Sequence, residues 1–275
     1  MKNRLISGFF GISLLLVILF LFDTFVLNVA VSLTCSLIVY EILCATKMFE
    51  KSYLLFIVYV VYSLFFPFLE KEYLGDYRFI LVGAFIIFNI FYLLKNSSKV
   101  KLYNVFFCCF FSIFAVLFMS NIIYLRSFFK PIGVYYVGLF FLISWICDAG
   151  AYFVGLKFGK IKLAPRISPK KTVEGAIGGV VLTCLFVFLY DLVFLKFIFT
   201  DVRFNIVSVI FSTLIGILFS IIGDLVMSVF KRQNDIKDFG DIIKGHGGVL
   251  DRFDSFIFVS AVLYPFVKVF PIINF

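Results

Sequence analysis

Charged side chains and histidine are scarce in this sequence. Only 15% of its 275 residues are Asp, Glu, Lys or Arg, and His246 is the single histidine, whereas 63% are hydrophobic and 42 are phenylalanine. A soluble domain of this size would expose much of that apolar surface to water, so that class is excluded. Internal repeats and low-complexity tracts are absent as well. The composition therefore predicts a multi-pass membrane protein.

Cysteines with metal-ligand or disulfide spacing are also lacking. All six lie inside apolar runs, at Cys35, Cys44, Cys108, Cys109, Cys147 and Cys184. Neither a zinc site nor a disulfide framework is predicted. The formal net charge of +9 comes from basic residues in short segments between apolar runs. Membrane proteins place such residues there in any case, so nucleic acid is not a predicted partner.

Nine apolar runs are long enough to cross a bilayer, which takes roughly 17 to 25 residues. They cover residues 5–22, 24–44, 53–69, 78–94, 103–125, 132–154, 176–199, 204–230 and 250–270. We expect the first run to be a retained span and not a cleaved signal peptide. The predicted fold is an all-α polytopic bundle of about nine transmembrane helices. It divides into an N-terminal region, 1–130, and a C-terminal catalytic region, 131–275.

The distribution of basic residues predicts the orientation in the membrane. With a cytoplasmic N-terminus, 17 Lys and Arg fall on the cytoplasmic side and 6 on the outer side. This bias follows the positive-inside rule. It places the two richest polar segments, loops 156–175 and 231–249, on the same cytoplasmic face. We therefore predict a multi-pass protein of a bacterial cytoplasmic membrane, with one site that faces the cytoplasm.

Two carboxylates, Glu41 and Asp148, lie inside apolar runs, where an ionisable group is costly and usually faces a cavity or a partner. For Glu41 an interfacial position near the end of its span is an equal alternative. The polar stretch after Asp148 predicts the start of a helix. Either Ser168 or Thr172 can cap this helix, Pro169 suits its first position, and Lys170 and Lys171 add positive charge for a phosphate. The alternative is a basic loop on anionic lipid headgroups.

The last two spans carry the remaining candidates for chemistry. Asp224 and Ser228 share a helix face, and Asp251 and Asp254 share another. Oxygen ligands without a metal-spaced cysteine favour Mg²⁺, so we predict Asp224 and Asp251 as its ligands, with Asp254 and Asp148 as further candidates. A second cation at the same site is a further expectation. The alternative is that these aspartates only pair with Lys231, Arg232 and Arg252.

The pattern from Ser228 to Asp254 resembles the signature of the phosphatidate cytidylyltransferase (CDP-diacylglycerol synthase) family. It reads Ser228-x-Phe230-Lys231-Arg232, Lys237-Asp238-x-Gly240 and Gly245-His246-Gly247-Gly248-x-x-Asp251-Arg252-x-Asp254. The stretch from Asp148 through Ser168-Pro169-Lys170-Lys171-Thr172-x-Glu174-Gly175 is similar to a second family region. One departure is Lys244, where the family more often has proline.

The resemblance implies transfer of CMP from CTP to phosphatidate with release of pyrophosphate, and it implies a requirement for Mg²⁺. We expect catalytic roles for Asp224, Asp251, Lys231 and Arg252. The expected substrate-binding residues are Ser168, Lys170, Lys171, Thr172, Ser228, Arg232, Lys237, His246, Gly247 and Gly248. His246 is expected to donate to a phosphate and not to act as a base, because an ionised phosphate nucleophile has no proton to lose.

Two other functions are compatible with parts of the pattern. A CTP- or ATP-dependent kinase acting on a lipid alcohol would need a base, which His246 or an aspartate could supply. An ion-coupled transporter would use Asp148 and Asp224 as sites at the middle of the membrane. The polar residues gather at one face, however, and no inverted repeat is evident. The expected partners are CTP, phosphatidate and the lipid bilayer, with a homodimer as a further candidate.

Overall fold

The computed structural model describes residues 20–48, 52–69, 77–98, 100–194, 203–242 and 247–274, and these are predominantly helical. The helices are α1 Phe25–Ala45, α2 Tyr53–Phe65, α3 Tyr77–Lys95, α4 Leu102–Met119, α5 Asn121–Phe128, α6 Gly133–Phe158, α7 Val173–Val193, α8 Ile206–Gln233 and α9 Leu250–Val269. A 3₁₀ turn, Phe66–Phe68, follows α2. Four short strands are β1 Lys162–Ala164, β2 Ser168–Thr172, β3 Arg203–Phe204 and β4 Ile273–Asn274. The predicted all-α membrane fold is confirmed.

Six of the helical segments in the described residues are long and apolar enough to cross a membrane. They are Phe25–Ala45, Tyr77–Lys95, Leu102–Phe128, Gly133–Phe158, Val173–Val193 and Ile206–Gln233. Tyr53–Phe68 is a shorter apolar helix. Helix α9 is 20 residues long, but its charged ends keep it out of this set. Residues 5–19 of the predicted run 5–22 lie outside the described residues, so the count of nine is not confirmed.

The predicted span 103–125 is confirmed as part of one membrane-length apolar segment, Leu102–Phe128, although this segment is divided into two helices. Helix α4 ends at Met119 and α5 begins at Asn121, with Ser120 between them. The Ser120 hydroxyl donates to the carbonyl oxygen of Val116 at 2.7 Å. A serine bonded back to the carbonyl four residues earlier is a known cause of bending in an apolar helix. Hydropathy alone does not register such a break.

The described residues form two compact units. The first contains Met1–Val134 with Gln233–Phe253, and the second contains Tyr135–Arg232 with Asp254–Phe275. In the first unit, α1 packs on α2 and α4. Two buried hydrogen-bonded groups join its elements: Tyr59 donates to Asn89 at 2.6 Å, and Arg126 donates to the Asn28 side chain at 2.8 Å and the Thr24 carbonyl at 2.9 Å.

The second unit is built on a close crossing of α6 and α7. A Cβ on Gly175 would lie 2.6 Å from the carbonyl oxygen of Ala151, and one on Gly179 would lie 2.8 Å from that of Cys147. Glycine therefore lets the two backbones touch. Strands β3 and β4 pair antiparallel, with Arg203 opposite Asn274.

The predicted helix start at Ser168 and Pro169 is wrong. Both residues lie in β2, which pairs antiparallel with β1 to form a hairpin, with Lys162 opposite Thr172. Helix α7 begins at Val173, and the Thr172 hydroxyl caps it by accepting from the Gly175 amide at 3.1 Å. Thr172 was one of the two predicted caps. Proline at the second residue of a short outer strand costs little, because its missing amide can face solvent.

The two predicted loops also contain more helix than expected. Within 156–175, α6 continues to Phe158 and α7 begins at Val173. Within 231–249, α8 continues to Gln233, so Lys231 and Arg232 lie on its last turn. Basic residues in that position complement the negative end of the helix dipole, which explains why a charged segment stays helical.

Candidate functional site

A cavity of about 570 Å³ lies in the second unit. The β1–β2 hairpin and helices α6, α7 and α8 contribute its walls. Its lining residues are Cys147, Asp148, Ala151, Tyr152, Gly155, Leu156, Gly159, Lys162, Leu163, Ser168, Lys170, Lys171, Thr172, Ala176, Ile221 and Asp224. Cations, carboxylates and apolar side chains share this one space. It can therefore receive a ligand with both an anionic and an apolar part.

Six residues predicted for the site line this cavity together. Ser168, Lys170, Lys171 and Thr172 come from β2, Asp148 from α6 and Asp224 from α8. The Lys171 ammonium forms an ion pair with the Asp224 carboxylate. The hairpin thus brings the predicted phosphate-binding lysines close to Asp224, the predicted metal ligand. In the sequence, these lysines and Asp224 are more than 50 positions apart.

Glu174 fixes the base of this hairpin. Its carboxylate, in the first turn of α7, accepts from the Lys160 amide at 3.0 Å and from the Ile161 amide at 3.1 Å. Both amides lie between α6 and β1, where a chain without secondary-structure partners needs such acceptors. In the sequence, Glu174 is recognised only as part of the second family region. Only the structure shows that its carboxylate holds the backbone at the base of the hairpin.

A second polar cluster in this unit joins α6, α8 and α9. The Ser255 hydroxyl donates to Asp148 and lies 3.2 Å from an oxygen of Asp254. The Lys231 ammonium lies 3.9 Å from the other oxygen of Asp254. Asp254 and Ser255 are 7% and 2% exposed, so this cluster is desolvated. Ser255 was not predicted, although it directly follows a predicted aspartate.

The carboxylates of this unit are close enough to influence one another. Asp148 interacts electrostatically with Asp224, with Asp254 and with Lys171. In the described part of the chain, no group of three or more His, Cys, Asp or Glu is placed to hold a metal ion alone. Magnesium usually takes only one or two protein carboxylates and completes its shell with waters and substrate phosphates. The donor chemistry of Asp148, Asp224 and Asp254 therefore fits Mg²⁺.

Asp251 lies in the first unit, at the start of α9. One of its oxygens accepts from the Phe239 amide at 2.8 Å and from the Gly248 amide at 3.0 Å. Gly247 has a φ of +83°, in the left-handed region that favours glycine, and a Cβ there would lie 3.1 Å from Asp251. The Gly-Gly pair thus lets the backbone fold tightly over this carboxylate.

The other predicted residues are spread over exposed and buried positions. Arg232, Lys237 and Arg252 are exposed, and Ser228 is buried on α8. His246 lies outside the described residues, as does Lys244. The structure therefore places Asp224 and the lysines of β2 in one cavity of the second unit, and Asp251 with Gly247 and Gly248 in one loop of the first.

Glu41 is the residue whose role the sequence left open. It is 1% exposed, and its carboxylate accepts from the amides of Val249 at 2.8 Å and Leu250 at 2.7 Å. It is therefore not an interfacial side chain but a buried partner of the predicted signature loop. The signal in the sequence was the carboxylate within an apolar run.

These features define a polytopic helical membrane protein with a charged, phosphate-compatible cavity beside intramembrane carboxylates. Comparison with known families makes the assignment more specific. The model of the cytidylyltransferase family matches residues 2–270, and the chain belongs to this family. The match covers almost the whole sequence, including the N-terminal helices that carry no recognisable motif.

Similar proteins include staphylococcal proteins named phosphatidate cytidylyltransferase. The chain is 43% identical to the one from Staphylococcus haemolyticus (strain JCSC1435) and 44% identical to the one from Staphylococcus aureus (strain COL). Each match covers 131 residues, 48% of this chain and 48% of the relative. The chain thus spans about half the length of the curated relatives it matches.

Proposed function

We propose that the protein is a phosphatidate cytidylyltransferase, which converts CTP and phosphatidate to CDP-diacylglycerol and pyrophosphate. The observation that carries this proposal is the cavity in which Lys170, Lys171 and Asp224 meet apolar side chains of a membrane-embedded unit. Membership in the cytidylyltransferase family and the names of the similar staphylococcal proteins support it. The substrates are the ones that those names imply.

The proposed reaction does not require a general base to deprotonate the nucleophile. A phosphate monoester has a second pKa of about 6, so phosphatidate is largely dianionic at neutral pH. One of its oxygens forms the new bond to the α-phosphorus of CTP, while the bond from that phosphorus to the bridging oxygen of pyrophosphate breaks. The protein therefore has to position two anions and neutralise the charge that gathers on the leaving group.

The lysines of β2 suit the second task. Lys170 and Lys171 line the cavity, and Lys231 lies at the neighbouring cluster around Asp254. All three are in the second unit, whereas Arg252 is exposed and lies in the first. Ser168 and Thr172 add hydroxyl groups to the same wall.

We propose that Asp224 holds Mg²⁺, with Asp148 and Asp254 of the same unit as its neighbours. A ligand role for Asp251 stays a prediction from the sequence. When bound, Mg²⁺ supplies positive charge that offsets the phosphate oxygens. The two ion pairs, Lys171 with Asp224 and Lys231 with Asp254, also support the alternative that the aspartates only balance lysines. A metal-bound triphosphate offers each partner of such a pair a new partner of opposite charge. A second cation at the same site stays a prediction.

The proposed reaction is tested with purified protein, MgCl₂ and CTP labelled at the α-phosphorus. With phosphatidate as acceptor, the label should move into the lipid fraction on thin-layer chromatography. A lipid-alcohol kinase would transfer the γ-phosphate and leave the α-label in water, whatever the lipid. No labelled lipid from phosphatidate, together with γ-label on a lipid alcohol, would reverse the assignment.

Lys171→Met should lower kcat/KM for CTP about ten- to a hundredfold, because a charge-assisted contact to phosphate contributes about 1.5–3 kcal/mol. Steady-state kinetics over a range of CTP concentrations measures this. Lys157→Met is the matched control, since Lys157 is exposed on α6 and does not line the cavity. Equal kcat/KM values for Lys171→Met and the wild type would remove the hairpin lysine from the binding site.

We also propose that the site faces the cytoplasm of a bacterial inner membrane, on the basis of the distribution of basic residues. The hairpin and the loop after α8 would then have direct access to cytoplasmic nucleotide. A homodimer, the further partner considered from the sequence, stays a prediction.

Single cysteines placed by Lys160→Cys and Asn234→Cys in a background without the six native cysteines test this orientation. Neither should react with a membrane-impermeant maleimide in intact cells, and both should react after permeabilisation. Lys130→Cys, on the opposite side by the same rule and exposed, is the control that should label in intact cells. Labelling of Lys160→Cys before permeabilisation would be incompatible with the proposed orientation.

A further inference from the structure

Among the described residues of the first unit, Glu41 is the one buried acid that the proposed chemistry does not use. It lies on α1 and is 1% exposed. Its two carboxylate oxygens accept from two successive amides, Val249 at 2.8 Å and Leu250 at 2.7 Å, more than 200 residues along the chain. Each oxygen is thus committed to backbone. Glu41 therefore acts through the loop that it holds.

The two amides belong to the start of α9. Leu250 is the first residue of that helix, and the first amides of a helix have no partner inside it. Val249, which precedes it, has no side-chain oxygen with which to cap the helix. A carboxylate at a helix N-terminus also interacts favourably with the helix dipole. Glu41 thus supplies from another helix the cap that the local sequence lacks.

Two glycines of the loop make room for this carboxylate. A Cβ on Gly248 would lie 2.6 Å from one oxygen of Glu41, and a Cβ on Gly240 would lie 2.9 Å from the other. Any larger residue at either position would have to displace the glutamate. The glycines on both sides of the loop are thus explained by one buried side chain on α1.

The same backbone carries Asp251. Its carboxylate accepts from the Gly248 amide, adjacent to the Val249 amide that Glu41 holds, and from the Phe239 amide, adjacent to Gly240. Glu41 and Asp251 therefore both accept hydrogen bonds from backbone amides of this loop. A shift of the glutamate would move the amides that orient the aspartate.

We infer that Glu41 is a positioning residue that fixes the backbone at Gly240 and at residues 248–250 and, through it, Asp251. This inference rests on the proposed function for its catalytic consequence, because Asp251 is the ligand that the sequence predicts. The contact itself requires only the geometry of the first unit.

Glu41→Gln should lower kcat about ten- to a hundredfold and raise the Mg²⁺ concentration needed for half-maximal rate, with little change in KM for phosphatidate. Glutamine keeps the size of the side chain, but its NH₂ group replaces one acceptor oxygen. That group would face a backbone amide, which is also a donor. Asp191→Asn is the control for loss of a buried acid, since Asp191 contacts Tyr135 in the second unit. Wild-type kcat and Mg²⁺ dependence in Glu41→Gln would overturn the inference.

A double-mutant cycle separates positioning from a general loss of stability. Gly240→Ala should impair the wild type by about tenfold or more, because its Cβ meets the Glu41 carboxylate. In a Glu41→Ala background that obstacle is gone, so Gly240→Ala should add little. Additive effects in the cycle would mean that the two residues act independently, and this would refute the inference.

Hydrogen–deuterium exchange of the full chain provides a readout that does not depend on activity. Peptides that cover residues 239–251 should exchange about tenfold faster in Glu41→Gln, and peptides from α7 should be unchanged. If the wild type made no CDP-diacylglycerol but this exchange pattern appeared, the proposed function would fail and the positioning role would stand. If the wild type were active but the exchange in Glu41→Gln were unchanged, the positioning role would fail and the proposed function would stand.

Discussion

Asp224→Asn is expected to reduce formation of CDP-diacylglycerol by about a thousandfold or more while the protein still inserts and folds. The substitution keeps the shape of the side chain but removes its charge. Stabilisation of phosphate charge by a bound metal contributes several kcal/mol, and each 1.4 kcal/mol is a factor of ten in rate. The ion pair with Lys171 is lost at the same time, which leaves that lysine without its carboxylate partner. The measurement is kcat with purified protein at saturating CTP and phosphatidate.

The control is the same chemical change at Asp191. This aspartate is buried in the second unit, where its partner is the Tyr135 hydroxyl at 2.8 Å, and it does not line the cavity. Asparagine at that position can still accept the hydrogen bond, so activity should stay within about threefold of wild type. Partial rescue of Asp224→Asn by Mn²⁺ would further support a metal ligand. A wild-type kcat for Asp224→Asn at ordinary Mg²⁺ would exclude that role.

Asp251→Asn should be nearly as severe, and far more severe than His246→Gln. One Asp251 oxygen accepts hydrogen bonds from two backbone amides, and the side-chain oxygen of asparagine can replace that acceptor. The loop should therefore keep its form while the negative charge is lost. His246→Gln keeps a hydrogen-bond donor and should retain measurable activity, about ten- to a hundredfold below wild type at most.

The pH dependence of the rate distinguishes the two roles of the histidine. If His246 only donates to a phosphate, His246→Gln should have an alkaline pH profile like that of the wild type. A general base would show an ionisation near 6.5 in the wild type that disappears in the variant. An inactive His246→Gln with that change, beside an active Asp251→Asn, would favour the lipid-alcohol kinase instead.

Composition and one-dimensional pattern were sufficient for the class of fold and for six of the residues that line the cavity. Hydrophobic runs near the length of a bilayer predict transmembrane helices because unpaired backbone groups are too costly in lipid. The two signature stretches contain the hairpin lysines and Asp251, and Asp224 lies four residues before the second stretch. Charges that interrupt such runs are expensive, so their positions indicate function even before a fold is known.

Local conformation near the site was less predictable. The segment Ser168 to Thr172 has a plausible helix cap and a proline, and it reads as a helix start. It forms a strand because Lys162 to Ala164 can pair with it and because Glu174 secures the chain between α6 and β1. The strand conformation depends on pairing with β1 and on the Glu174 side chain, which lies beyond β2. The local propensities of residues 168–172 contain no information about either interaction.

By itself, the sequence determined a membrane bundle, its family resemblance and the residues that carry charge. Only the tertiary structure decided which of them meet. Lys171 reaches Asp224 because glycines let α6 and α7 touch and the hairpin turns back over them. Glu41 could not be assigned from its surroundings in sequence, since its partners Val249 and Leu250 lie more than 200 residues away. Its partners are backbone amides, which every non-proline residue has, so no residue pattern marks them and only the packing of α1 against the loop identifies them.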